Sequence, residues 1–499
     1  MIWLWLVCIS VLFQVSLACA FVPTFRHHAC HSQFLPACAT FSPGDADDVK
    51  SGTDTSSGEK GSIYVQNKRI LIYWRGEALE DYSKGFRELE FVGAIRAVVE
   101  GRQASDLDLG SLGDSITFSN ALICSDEAAK TMSDREIDLF NSSLQYLDYA
   151  SFADLISLDD LKKAVERCSL VNSIYQVGGY STTYDELISD AESSGVFEAL
   201  IDNGGAHAQK WRFRLRYFGN EGDRKGRRFG DRTTRSTSRE REALSSLESL
   251  LEQFSGKVDL KNPDASVVLF DGLGHGKEMA LTRSLANGPQ ISIMNPNTRI
   301  CVTNTPLCPI AAYSMCNIAR VGPNQAILDP YSGSCATLLA ATLIEPTVKC
   351  VGIEISHEGL VNRRDIAADF TTRGLKPPLA LIEGDATDAS VRAEACIAVG
   401  GAFDVIVADP PYGLRESLSS NPLRDILDMI AADRDAGNRL LKVGGRLVLF
   451  VPVSKDNDIT DMLPQADILE EVGLQHKIAQ RQQLNDGLDR WLVAYECIR

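Results

Sequence analysis

Directly after the apolar run Phe403–Ala408 stands Asp409-Pro410-Pro411-Tyr412-Gly413. These residue types, in this order, can prepare a reluctant nucleophile. An amino group conjugated to an aromatic ring or a carbonyl attacks poorly because its lone pair is delocalised. A carboxylate at Asp409 can accept one of its N–H bonds. The backbone carbonyl of Pro410, turned outward by the prolines, can accept the other. The lone pair then faces an electrophile, and Tyr412 offers a ring on which the substrate stacks. Holding reactants in such a geometry removes much of the barrier. A proline-rich turn with a surface aspartate would use the same letters. The position argues for a site, because ligands of open α/β sheets bind beyond the carboxyl ends of strands.

The elements that must position this segment are legible around it. Ala326–Asp329, Cys350–Glu354, Leu379–Glu383, Phe403–Ala408 and Arg446–Val451 are short apolar runs with the β-branched character of strands buried on both faces. They alternate with helical patterns, which implies βαβ units and a mostly parallel sheet. A last pair, Gln475–Gln483 and Trp491–Cys497, flanks Leu484-Asn485-Asp486-Gly487. That turn chemistry predicts a terminal antiparallel hairpin.

Acidic residues close the first three strands. Asp329 opens Asp329-Pro330-Tyr331-Ser332-Gly333-Ser334, where Gly333 lets backbone approach a ligand closely. Glu354 sits where a carboxylate holds two ribose hydroxyls. Asp385, followed by Ala386, is placed to receive an adenine amino group. Any one of these acids reads equally as a cap or turn residue. On successive strands, with Asp409 next, they fit a pocket for S-adenosylmethionine. No G-x-G-x-x-G follows the first strand and no P-loop occurs, which sets aside dinucleotide and P-loop nucleotide readings.

The chain has 499 residues, enough for about three units. Hydrophobic residues at 44% and charged residues at 23% exclude a wholly disordered, collagen-like or multi-span membrane protein. The net charge of −17 argues, as an average, against a polyanionic partner. It is unevenly spread. Lys210–Arg241 holds 12 Lys/Arg against four acidic residues, a local +8 that leaves −25 on the remainder. Aromatic residues are interleaved there, and Trp211-Arg212-Phe213-Arg214-Leu215-Arg216-Tyr217 alternates apolar and basic as a strand with one buried and one basic face. A basic strand beside an Arg/Gly-rich loop is a phosphate-contacting footprint, although a charge run is often only a solvated loop. Earlier still, the pattern predicts a strand at Arg69–Arg75, a helix at Phe86–Glu100, a short helix at Leu161–Ser169 and a strand at Val171–Val177. An amphipathic helix is expected over Glu242–Phe254. The resulting organisation is a signal-peptide leader at 1–20, a transit-like segment and linker at 21–62, an α+β region at 63–272 and an α/β domain at 273–499.

Ile2–Ala20 is almost wholly apolar and ends in Ala18-Cys19-Ala20, as a signal peptide does; a membrane anchor is the alternative. The next stretch, from Phe21 to Gly44, contains no acidic residue, a composition typical of transit peptides. Together they resemble the bipartite plastid presequence of algae with complex plastids, which implies a plastid protein with no membrane segment in its mature form; the alternative is the cytoplasm. Nine cysteines lie beyond residue 62 without any CxxC pair, so neither a zinc site nor a disulfide framework is expected.

Gly256-Lys257-Val-Asp-Leu-Lys261-Asn-Pro-Asp264 and the continuation Asp409-Pro-Pro-Tyr-Gly-Leu-Arg415-Glu416 resemble the tRNA (guanine-10-N2)-methyltransferase family, from about Arg69 to the C-terminus. Thr303-Asn-Thr305-Pro306 and the helix Ile310–Arg320 look like the family's element before the cofactor strand. The resemblance implies an α/β, Rossmann-like methyltransferase domain dependent on S-adenosylmethionine, preceded by an α+β domain containing an RNA-binding THUMP part. It further implies methylation of the exocyclic N2 of a guanine in tRNA. Asp409, Pro410 and Tyr412 would be the catalytic residues. The cofactor would lie among Thr305, Asp329, Tyr331, Gly333, Glu354, Asp385 and Ala386. Pro411, Arg415, Glu416, Arg212, Arg214, Arg216, Lys257 and Lys261 would face tRNA, and a small zinc-binding activator subunit would be a partner. One departure is visible: the family's first loop reads D-P-x-x-G-T-G, and Cys335 replaces its last glycine, adding a side chain beside the methionine end of the cofactor. The DPPY core alone also fits methylation of adenine N6 or of protein glutamine, and a non-catalytic RNA-binding paralogue would keep the basic half.

Overall fold

Two sheets of seven strands organise the chain among the described residues. The computed structural model describes residues 69–76, 82–101, 113, 115–124, 126–130, 132–201, 208–218, 237–356, 361–411, 422–455, 457–484 and 487–499. All of these lie in the unit Ser56–Arg499.

The N-terminal sheet comprises β1 (Arg69–Trp74), β2 (Phe118–Asn120), β3 (Leu144–Asp148), β4 (Val171–Ser181), β5 (Trp211–Tyr217), β6 (Ala265–Leu273) and β7 (Glu278–Asn287), in the order β2-β3-β1-β4-β7-β6-β5. Its pairs are antiparallel except β5 with β6. Helices α1 (Lys84–Glu100), α2 (Asp134–Asn141), α3 (Leu158–Arg167), α4 (Tyr184–Ser193) and α5 (Thr237–Ser246) accompany it. Ser83 caps α1, accepting from Phe86 N, and Ser133 and Ser157 close capping boxes on α2 and α3.

The placement of β7 corrects the expected boundary at 272/273. Gly274 to Lys277 is the turn of a hairpin, and β7 pairs with both β6 and β4. The N-terminal sheet therefore extends to Asn287. The helix expected over Glu242–Phe254 also differs: α5 ends at Ser246 and a separate turn begins at Glu248.

The C-terminal sheet comprises β8 (Ala326–Asp329), β9 (Lys349–Glu354), β10 (Ala380–Glu383), β11 (Phe403–Ala408), β12 (Leu441–Ser454), β13 (Leu474–Gln483) and β14 (Leu488–Cys497), in the order β10-β9-β8-β11-β12-β14-β13. β8 to β12 are parallel, and β14 is antiparallel to both β12 and β13. Helices α6 (Pro309–Ile318), α7 (Ala336–Ile344), α8 (Arg363–Thr371), α9 (Ala389–Val399), α10 (Pro422–Asp435) and α11 (Ala466–Val472) follow the chain through it. The chain steps outward from β8 to β10 and then returns to place β11 on the other side of β8. That reversal opens a crevice at the carboxyl ends of β8 and β11. The expected parallel runs and terminal hairpin are present, with β12 longer than the sequence pattern implies.

The halves share one apolar core, in which Trp74, Phe86 and Phe91 belong to the same cluster as Tyr313, Leu338, Val405 and Phe450. Buried polar groups cross the same boundary. Glu90 accepts from Ser169 N and Oγ at 2.9 and 2.7 Å, from Leu170 N at 2.9 Å and from Asn317 Nδ2 of α6 at 3.0 Å. Arg167 donates to Asn317 Oδ1 at 2.8 Å and to the Val321 carbonyl at 2.6 Å. Glu100 pairs with Arg320 and with Arg446 of β12, at 2.8 and 3.1 Å. A carboxylate taken out of water needs this many donors.

Close approach makes the contact possible. A Cβ on Gly93 of α1 would lie 2.5 Å from the Asn317 carbonyl oxygen on α6. Gly93→Ala is expected to lower stability by about 1–3 kcal/mol, as overpacking against backbone does. Gly322→Ala, whose Cβ would come no closer than 3.7 Å to its neighbours, should be within about 0.5 kcal/mol of the parent. Denaturant midpoints of the two variants check this, and equal midpoints would contradict it.

Candidate active site

Three carboxylates meet around the crevice. Asp329 ends β8, Glu354 ends β9, and Asp409 follows β11. Burial lifts the Asp329 carboxyl from the ordinary carboxylate range to about 7. Hydrogen bonds from the Thr337 hydroxyl and from Tyr331 N oppose the rise, and the charges of Asp409 and Glu354 add to it. Tyr331 N lies 3.0 Å from Asp329 Oδ1, and the Thr337 hydroxyl of α7 donates to Oδ2. Asp329 thereby holds the start of the loop to the helix that follows it.

Glu354 holds the middle of the loop. Gly333 N donates to its Oε2 at 2.7 Å, and Ser332 N donates to the Ile353 carbonyl at 2.9 Å. Gly333 has φ +47°, and among the described residues a Cβ there would have only the Thr303 methyl within reach, at 3.8 Å. The glycine thus leaves a shallow space over the loop, bounded on one side by Thr303. Thr305, two residues on, is exposed and stands outside that contact.

Cys335 closes the loop in the left-handed region, at φ +60° and ψ 37°. That conformation explains why a glycine suits the position, since a residue with a Cβ pays about 1–2 kcal/mol there. The Cys335 side chain is fully buried in the shared core, so the departure from glycine also places a burden on the backbone.

The loop is braced from outside by a buried ion pair that sequence reasoning did not find. Arg299 Nε is 3.1 Å from Asp369 Oδ2 on α8, and its Nη2 donates to the Ser334 carbonyl. Asp369 also accepts from Ile300 N and Cys301 N, at 2.5 and 3.1 Å. Residues before β8 are therefore clamped against the loop. No spacing rule connects Arg299 to Asp369 across 70 residues.

Asp385 is exposed and receives the Thr387 amide and hydroxyl on Oδ1, each at 2.8 Å. It combines the expected strand-end position with a local turn role. Ala386 is buried, and its carbonyl accepts from Arg392 at 2.9 Å. Tyr331 is half-buried against the apolar cluster of the C-terminal sheet. Pro410 is buried and Pro411 half-buried, whereas Tyr412, Arg415 and Glu416 lie outside the described residues. Asp409 faces a cation that the sequence did not single out: Arg490 of β14, with Nη1 3.8 Å from Oδ1.

The basic strand is on the other sheet. That sheet curls so strongly that Tyr175 of β4 and Phe270 of β6 lie 4.9 Å apart, and the Arg216 guanidinium sits 4.6 Å over the Tyr73 ring of β1. Arg212 donates to Ser266 Oγ at 2.9 Å. Arg214, Lys257 and Lys261 are exposed. The three arginines expected on one open face are thus unequal, two of them being engaged by the sheet itself.

Among the described residues no group of three or more His, Cys, Asp or Glu is arranged to hold a metal ion, and no helix is long and apolar enough to cross a membrane. The sheet order, the loop cradled by Glu354 and the Asp-Pro-Pro segment at the switch point define the Rossmann-like, S-adenosylmethionine-dependent class of methyltransferases.

Within that class, the chain is 23% identical over 384 residues to the tRNA (guanine(10)-N(2))-methyltransferase of Saccharomyces cerevisiae, covering 67% of this chain and 83% of that protein. It is 24% identical over 294 residues to the protein of the same name from Gallus gallus and 26% over 291 residues to that of Xenopus laevis. These two matches take in 49% of this chain and only 60 and 58% of the vertebrate proteins. The crystal structure of TrmN from Thermus thermophilus aligns with 77% of this chain and 100% of its own, at 17% identity and a TM-score of 0.36. No family model matches the chain. The similarity to the curated relatives supports the tRNA (guanine-10-N2)-methyltransferase family resemblance carried by the motifs.

The raised Asp329 carboxyl has a consequence for stability. Its pKa in the fold exceeds that of the unfolded chain, so its contribution is complete at acid pH and is lost as pH rises from about 4 through about 7. In Asp329→Asn the amide stays neutral and Thr337 can turn to accept from it. Without added ligand, the parent should lose about 2–3 kcal/mol relative to this variant between pH 5 and pH 8. Chemical denaturation at both pH values tests this, and a constant difference would contradict it.

Proposed function

We propose that the protein transfers a methyl group from S-adenosylmethionine to the exocyclic N2 of guanine in tRNA, at position 10. The observation that carries its amino-methyl-transfer chemistry is the placement of Asp409-Pro410-Pro411 directly beyond β11, across the switch point from Asp329. The similarity to relatives bearing that activity in their names supports it.

When bound, S-adenosylmethionine supplies a methyl group activated on a sulfonium. Glu354, Asp385 and Ala386 hold its nucleoside end, and Asp329, Tyr331 and Gly333 line the approach to its reactive end, with Thr305 on the segment before. Asp409 accepts one N–H of the guanine amine and the Pro410 carbonyl accepts the other. This aims the nitrogen lone pair, and Asp409 then draws off the proton the nitrogen sheds. Tyr412 provides the stacking surface, with Pro411, Arg415 and Glu416 at the pocket wall. The base leaves its helical stack to enter. The N-terminal sheet serves as a THUMP-like platform, with Arg214, Lys257 and Lys261 reaching phosphates and Arg212 and Arg216 backing them. A small zinc-binding activator subunit is carried over as a partner from the same resemblance.

Asp409→Ala is expected to abolish formation of N2-methylguanosine, read by mass mapping of tRNA nucleosides, while tRNA affinity stays within about twofold. Replacing Arg214, Lys257 and Lys261 by Ala should do the reverse. tRNA affinity falls, and the salt dependence of binding loses about one unit of slope per phosphate contact. Methylation surviving in Asp409→Ala would refute the role of Asp409.

Residues 1–62 lie outside the described residues, and we propose that they direct import into a plastid on the strength of their composition. Fused to a fluorescent protein, they should carry it into the plastid, and a diffuse cytosolic signal would refute this.

A further inference from the structure

Arg490 is held in an unusual way for a cation beside a proposed catalytic carboxylate. It is 5% exposed, its Nε donates to Gln482 Oε1 at 2.6 Å, and its guanidinium lies 4.0 Å over the Phe450 ring. Packing and hydrogen bonding therefore fix the guanidinium independently of Asp409. Its Nη1 stands 3.8 Å from Asp409 Oδ1, close enough for charge attraction and too far for a hydrogen bond. At that distance the cation acts on the orientation of the carboxylate about its last bond through charge attraction. It also offsets the negative charge of Asp409, which adds to the raised pKa of Asp329.

The support extends into the N-terminal half. Gln482 is itself buried, and its backbone forms an isolated antiparallel bridge with Tyr82, just before α1. A Cβ on Gly85 of α1 would meet Gln480 Oε1 of the same strand at 3.2 Å, so the helix start and β13 are in close contact. The topology explains how an arginine so late in the chain arrives here. β14 runs antiparallel to β12, which puts Arg490 opposite Pro452, near the carboxyl end where Asp409 emerges.

We propose that Arg490 is a positioning residue for Asp409, and that Gln482, tied to Tyr82, couples that position to the docking of the N-terminal half. The proposal rests on the methyltransferase reading above. Arginine suits the task because a planar guanidinium can stack on Phe450 while offering separate edges to Gln482 and Asp409.

The experiment uses the full chain, with tRNA methylation followed at saturating cofactor. The parent's activity tests the underlying reading separately: if it methylates no tRNA guanine, that reading fails whatever the variants do. Arg490→Met is expected to lower kcat at least tenfold, with KM for tRNA and calorimetric affinity for S-adenosylmethionine within about twofold. Arg490→Lys, which restores the charge, should recover a measurable part of that loss. The decisive comparison is with Asp409→Asn, which keeps a carbonyl acceptor but no charge to orient. In that background Arg490→Met should cost less than about twofold, a non-additivity expected only of residues acting through one another. If the fold-change is the same in both backgrounds, or Arg490→Met leaves kcat unchanged, the proposal is overturned. If Arg490→Met does not fold, or Asp409→Asn has no measurable rate, Arg490→Lys and Gln482→Met decide it. Both should lower kcat severalfold with cofactor affinity unchanged, and parental kcat in both would overturn the proposal.

Discussion

Glu90 is a carboxylate sealed from water whose hydrogen bonds are supplied by both halves of the chain. Ser169 and Leu170 donate from the N-terminal sheet side and Asn317 from the first helix of the methyltransferase side. Burial raises its pKa, and the surrounding donors offset that penalty. Separating the halves would leave an acid in an apolar core with part of its partners gone, which costs several kcal/mol. The distance from the basic concave sheet to the crevice at β8 and β11 is thereby fixed by chemistry rather than by a linker. A molecular ruler that selects one nucleotide of a folded RNA needs such rigidity.

Charge is patterned locally rather than divided between the halves, since residues 63–287 hold 28 Lys/Arg against 36 Asp/Glu and residues 288–499 hold 19 against 26. The exposed Arg214, Lys257 and Lys261 lie on the N-terminal half, while acidic residues close the strands around the crevice. A polyanion meets attraction at one end and acidic groups at the other, which orients it as well as holding it. The net charge of −17 conceals this, because a sum has no direction.

What the sequence disclosed was local. Short apolar runs ending in Asp329, Glu354 and Asp409 carry their period and their end signals within a few residues, so β8, β9 and β11 were readable, as was the terminal hairpin. What stayed hidden depends on partners far along the chain. β7 reads as the opening of a new domain because nothing within it announces that it pairs with β4. Arg299 and Asp369, Glu90 and Asn317, and Arg490 and Asp409 are pairs made by the fold, and each member alone looks like an ordinary charged or polar residue. Cys335 was visible as a departure from a glycine, yet its meaning is a backbone angle and a buried side chain.

The pairing of Glu100 with Arg446 joins residues 346 positions apart. Closing so large a loop is entropically slow, and the reward comes only when the last parallel strand is in place. During synthesis, the first half emerges with Glu90 and Glu100 still lacking their distant partners and with Trp74, Phe86 and Phe91 uncovered on one side. It therefore waits, incomplete and adhesive, until the second half arrives. The contact that makes the finished enzyme rigid also makes its nascent form a natural client for chaperones.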